Sequence, residues 1–210
     1  MSRAQSFVIW AVLIIAIIVP ILAAASSPLL AWRDPIYITA GLSGVLAFVL
    51  LLLQPLLAGG VLPALSARRS RHLHRWVGSM LIVAVTTHVV GLWITSPPDV
   101  IDALLFMSAT PFSPWGVVAM WAIFIAATLA ALRKALRLRP HIWRLAHTSL
   151  ATVTVIGTVV HALLIDGTME TVSKVVLCVL VLGATVKVLY TSLSISNSLS
   201  KLHAKICHMI

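Results

Sequence analysis

Four histidines carry the chemistry on offer in this sequence. His74 and His88 sit fourteen residues apart in one apolar segment, and His147 and His161 repeat the interval in another. Fourteen residues of α-helix rise about 21 Å and turn through about 1400°, some 40° short of four full turns. Each pair therefore lies on roughly one helix face, near opposite sides of a bilayer. Imidazole is a normal axial ligand of haem iron. Two such helices side by side would offer two facing His–His pairs, stacked across a membrane and suited to one-electron chemistry.

Such pairs need long, rigid carriers, and the composition supplies them. Hydrophobic residues make up 60% of the chain and charged residues 10%, against about half and a quarter in soluble domains. The apolar stretches are too long for buried core helices, so the expected class is an all-α integral membrane protein, a bundle of six transmembrane helices. The spans are expected at roughly 7–25, 36–58, 72–94, 113–133, 142–165 and 172–192. The strongest breaks hold Pro97, Pro98, Pro111 and Pro114, and the stretch from Arg133 to Pro140. Pro20 is expected to kink the first span or mark its end. Ala23 to Ser26 offer small residues of the kind a leader peptidase cuts, yet the segment is long enough to span and is expected to be retained.

The net charge of +10 does not point to nucleic acid, because no zinc-finger, helix-turn-helix or aromatic–basic pattern accompanies it. Its distribution points to topology instead. Arg68, Arg69, Arg71 and Arg75 lie between spans two and three; Arg133, Lys134, Arg137, Arg139 and Arg144 lie between four and five. Lys187, Lys201 and Lys205 accompany the end of the last span. The alternate loops carry Arg33 and Lys174 and every acid in the chain, namely Asp34, Asp99, Asp102, Asp166 and Glu170. The positive-inside rule then puts both termini and the basic loops in the cytoplasm.

In that orientation His74 and His147 share the cytoplasmic level, and His88 and His161 the outer one. A histidine within a membrane is functional by default, the bland alternative being hydrogen bonds between helices. Gly78, Leu81 and Val85 share the histidine face of span three, and Ala151, Thr154 and Thr158 that of span five, with Gly91 and Gly157 one turn from the outer pair. These small residues suit either a flat macrocycle or close helix packing, and beside the histidines they favour the macrocycle. Arg71, Arg75 and Arg144 lie within about one turn of the inner histidines, where guanidinium groups can pair with haem propionates. On the outer side Arg33, Lys174, hydroxyls or tryptophan N–H groups are the available partners.

His72 points away from the face of His74, and His141, His203 and His208 lie at a helix start or in the tail, so none is expected to bind iron. Trp76 and Trp143 suit an inner aromatic belt, and Trp32, Trp93 and Trp115 an outer one. Cys178 and Cys207 form no CxxCH attachment motif, no zinc site and no convincing disulfide, so any haem would be held non-covalently. The tail, 193–210, is read as cytoplasmic, equally a short interfacial helix, a frayed end or a partner's docking point.

The stretches HLHRWVGSMLIVAVTTH at 72–88 and HIWRLAHTSLATVTVIGTVVH at 141–161 resemble the ferric reductase-like transmembrane domain. That family includes the membrane modules of ferric reductases and NADPH oxidases and the haem-binding subunit of the bacterial periplasmic methionine sulfoxide reductase system. The resemblance covers about residues 40–190 and is strongest in LHRWVG and WRLAH. It implies a six-helix bundle holding two haem b groups, the inner on His74 and His147 and the outer on His88 and His161. It implies a multi-pass protein of the bacterial inner membrane. Electrons would pass from a cytoplasmic flavin reductase, or a quinol in the membrane, to an extracytoplasmic oxidoreductase or small-molecule acceptor. Residues 1–35 would be the first helix and outer loop, and 36–192 the haem-binding bundle.

No GxGxxG strand–turn–helix for a nicotinamide dinucleotide occurs in these 210 residues, so a separate donor is expected. Two other functions fit the same text: a quinol-coupled or metal- or oxygen-species oxidoreductase, and a cofactor-free transporter or assembly subunit. Bare histidines facing water or a neighbouring helix would mark the last.

Overall fold

The computed structural model describes the backbone of residues 2–207 and the side chains of residues 2–191 and 194. Among the described residues every regular element is helical: α1 Arg3–Ala25, α2 Pro35–Ala58, α3 Ala67–Thr95, α4 Pro97–Leu104, α5 Ser113–Leu132, α6 Pro140–Leu164 and α7 Thr171–Cys207, with a 3₁₀ turn at Pro28–Leu30. All but α4 are long and apolar enough to cross a membrane. The six expected spans therefore match six observed helices. Helix α7 runs on through the tail as far as Cys207. The interfacial character expected of that tail, with Lys201, His203, Lys205, Cys207 and His208, lies outside the described side chains.

Helix starts follow local chemistry. Ser2 and Gln5 form a reciprocal capping box on α1, satisfying two backbone N–H groups that a helix start leaves unpaired. Asp34 accepts from Ile36 N–H at 2.7 Å, and Pro35 sits at the first helical position, where a missing N–H costs nothing. The Pro97–Pro98 pair, expected as a break, opens α4 by the same logic. The break is real for the span, yet its prolines are compatible with a new helix start. Helix α1 continues through Pro20 to Ala25, so that proline does not end it.

Glu170 caps α7. The backbone N–H groups of Ser173 and Val172 donate to its carboxylate and hold it below the usual carboxylate range. A depressed acid contributes its cap above its unfolded value and loses it as pH falls through the folded one. Glu170→Ala should therefore speed amide exchange at Val172 and Ser173 at neutral pH. Once acid has protonated the wild-type carboxyl, the two proteins should exchange alike.

Helix α2 is the most enclosed span. Its run Ala47–Leu52 forms the core with Leu57, joined by Leu81 and Ala84 of α3, Val155, Val159 and Ala162 of α6, and Leu177 and Val181 of α7. Helix α1 leaves Phe7, Val8, Val12, Ile15, Val19 and Leu22 exposed, the surface expected of a helix whose solvent is lipid. Hydroxyls within the spans turn back onto their own helix: Ser43 donates to the Thr39 carbonyl, Thr86 to Ile82 and Thr152 to Thr148. That keeps polar groups satisfied where no water can reach.

Two hairpins dominate the packing. Helix α3 packs on α2 and helix α6 on α5, while α3 and α6 scarcely approach each other. At the basic end Ser70, almost fully buried, donates to the Leu57 carbonyl at 2.6 Å and ties the first turn of α3 to the last of α2. Gly91 lies against Ala40, and Gly157 against Ala119 and the Trp115 carbonyl, too close to admit a Cβ without displacement. Expected to make room for a macrocycle, these two glycines instead serve close helix packing within each hairpin, where the neighbouring helix leaves no space for a side chain.

Candidate functional site

The four histidines stand on the two long helices that the hairpin arrangement keeps apart. Three are anchored in the same way. His88 donates from Nδ1 to the Ala40 carbonyl at 2.8 Å, and His161 from Nδ1 to the Phe112 carbonyl at 2.9 Å. His74 donates from Nδ1 to the Gln54 carbonyl at 3.2 Å. A carbonyl can only accept, so Nδ1 carries the proton in each ring and Nε2 keeps its lone pair. Among the described residues none of these three Nε2 atoms has a hydrogen-bond partner. Fixing the tautomer through Nδ1 is how proteins prepare a histidine to bind metal through its other nitrogen.

The outer pair is built twice by one device. Four residues after Ala40 comes Gly44, and four residues after Phe112 comes Gly116, one helical turn further along α2 and α5. A Cβ at Gly44 would stand 2.9 Å from His88 Nδ1, and one at Gly116 would stand 2.7 Å from His161 Nδ1. In each hairpin, then, a carbonyl aims the ring and a glycine makes room for it. The acceptors lie 48 and 49 residues before their histidines. The Phe112 ring meets His161 edge-on at 5.6 Å between centres.

At the basic end the rings of His74 and His147 meet edge-on. Their ring centres are 6.3 Å apart and their planes cross at 76°. A metal bonded to two imidazole nitrogens at about 2 Å each holds the ring centres roughly 6 Å apart. Among the described residues no three His, Cys, Asp or Glu side chains converge to hold an ion. Pairs of this kind fit a metal whose other positions are filled by a macrocycle. The fourth histidine differs from its fellows: His147 Nδ1 is buried and has no hydrogen-bond partner among the described residues.

The remaining expected residues divide. Arg71 and Arg144 are exposed, and Arg75 lines an open recess with His72, Trp76 and Ser79. His72 accepts from the Trp76 indole N–H at 2.9 Å on that exposed side, away from the His74–His147 pair. His141 is exposed at the start of α6. At the other end Arg33 lies over the Tyr37 ring, and Lys174, buried, donates to the Ile165 carbonyl at 2.9 Å. Near Phe112, the hydroxyls of Ser108, Thr110 and Ser113 bond to one another.

Gly44, Gly116 and the carbonyls of Ala40, Gln54 and Phe112 are not read from the sequence. Backbone carbonyls leave no sequence trace, and α2 holds Gly41 beside Gly44 with nothing in composition to separate them. The one available signal is the recurrence of a glycine 44 or 45 residues before each outer histidine.

The family model described as ferric reductase like transmembrane component matches residues 43–158. The chain belongs to that family. The match includes Gly44, Gly116 and three of the four paired histidines, His74, His88 and His147, and His161 lies just beyond it. No curated protein and no solved structure matches the chain. Membership makes it a multi-pass membrane protein and an electron-transfer module of the ferric reductase type. Modules of this family generally bind haem and usually pair with flavin-containing cytoplasmic partners.

Proposed function

We propose that this chain is a b-type di-haem cytochrome that relays single electrons across the bacterial inner membrane. His74 with His147 would hold one haem, and His88 with His161 the other, both without covalent attachment. The observation that carries this reading is the anchoring of His74, His88 and His161 through Nδ1, which leaves Nε2 free on each ring. The spacing of His74 and His147 supports it at the basic end.

A haem held between two histidines would supply a one-electron carrier and would favour electron transfer over oxygen binding. The protein's own part is to hold the four rings. The Ala40, Gln54 and Phe112 carbonyls raise ligand basicity and fix ring planes, Gly44 and Gly116 admit the rings, and the apolar spans exclude water. Arg71, Arg75 and Arg144 supply cations for the propionates at the basic end, which faces the cytoplasm with both termini. A cytoplasmic flavin reductase or a membrane quinol is the donor, and an extracytoplasmic oxidoreductase or small molecule is the acceptor.

Sealed vesicles test the relay. With the haem-loaded protein in the bilayer, an impermeant reductant outside should reduce ferricyanide trapped inside. Vesicles lacking the protein, or carrying His88→Ala, should leave the trapped ferricyanide oxidised. Equal rates in all three would refute transmembrane transfer.

A further inference from the structure

The inner pair is asymmetric in a way that singles out two residues beyond the ligands. His147 has no carbonyl on Nδ1, in contrast to His74, His88 and His161. What it has is Trp143, one turn earlier on α6. The indole lies nearly parallel to the imidazole, with ring centres 4.8 Å apart and planes at 22°. On Trp143 in turn rests Arg133, its guanidinium 5.2 Å from the ring centre. Arg133 ends α5, so the stack closes the α5–α6 connection at the basic end. Trp143, expected in the inner aromatic belt, is half-buried with its ring against a histidine.

Resting on the proposed di-haem reading, we infer that Trp143 is the positioning residue of the fourth ligand and that Arg133 holds Trp143 in place. An indole stacked on an imidazole restrains its plane through ring contact, where a hydrogen bond would hold it at one atom. The guanidinium over the ring adds a cation–π attraction. Two consequences follow for the inner iron. The two imidazole planes that would hold it would stay crossed at the 76° seen between His74 and His147. Its second ligand, lacking an acceptor for Nδ1–H, donates less electron density than the other three. The nearby Arg133 charge favours the reduced iron in the same direction.

The low-spin ferric resonance of a bis-histidine haem depends on the angle between its two imidazole planes, so electron paramagnetic resonance reads the stack directly. The full-length haem-loaded protein is compared with Trp143→Leu, Trp143→Phe and Arg133→Gln, and both midpoint potentials are titrated. Trp143→Leu should shift and broaden the inner signal and leave the outer signal unchanged, which also reports intact folding. Trp143→Phe should restore the inner signal. Arg133→Gln should lower the inner midpoint potential and not the outer. An inner signal and potential that ignore Trp143→Leu would overturn the positioning role while leaving the two haem sites standing. A wild-type protein with no inner signal would refute the His74–His147 site itself, and this inference with it.

Discussion

Gly116→Val and Gly44→Val are each expected to abolish the outer haem nearly as completely as replacing a histidine. A Cβ at Gly116 falls 2.7 Å from His161 Nδ1 and 2.9 Å from Cε1; at Gly44 it falls 2.9 and 3.0 Å from the same atoms of His88. The neighbour in each case is an aromatic ring pinned by a carbonyl one turn away, so it has no small adjustment to make. Moving the ring breaks its Nδ1 bond and swings Nε2 off its position. Loss of such an outer-shell partner alone costs about 10–100-fold in metal affinity, and here the ligand moves as well. Valine's branches make the conflict worse. Gly41→Ala is the control, since no atom lies within 4 Å of its added Cβ. It should keep both haems and gain about 0.5–1 kcal/mol from replacing a helical glycine. Haem content of the purified variants checks all three.

His74→Ala or His147→Ala should remove the inner haem and spare the outer, and His88→Ala or His161→Ala should do the converse. The levels are separated by fourteen residues of helix, about 21 Å, and share no anchoring group. Substitutions that far apart act independently. Each single variant should therefore lose close to half of the absorbance in the reduced-minus-oxidised spectrum. The double variant His74→Ala with His88→Ala should lose all of it. His72→Ala removes a histidine of the same helix, only two residues from His74, whose ring is turned to Trp76. It should lose neither haem.

Much of this architecture is legible before any coordinates, for physical reasons. Apolar runs of about twenty residues have few alternatives to a membrane span, and the observed helices Pro35–Ala58 and Ser113–Leu132 begin and end within one residue of expectation. The ligand pairs are legible because helical periodicity turns an interval of fourteen into a shared face. Legibility stops where function depends on backbone or on ring contact. Nothing in the sequence marks the Ala40 or Phe112 carbonyl as a histidine's partner. Gly91 and Gly157 drew attention by lying near the histidines, yet they serve packing within hairpins, while Gly44 and Gly116, far away in sequence, touch the rings. Trp143 is hidden by a common role: a tryptophan near a span's end is normally a belt residue, and only the tertiary fold puts its face on His147.

The most direct measurement is a reduced-minus-oxidised spectrum of the purified protein, with haem counted per polypeptide in the wild type and in one variant from each level. Two b-type haems per chain are expected, falling to one with His147→Ala and to one with His161→Ala. A colourless protein would contradict the account and favour a transporter or assembly subunit. So would a haem count that neither substitution changes.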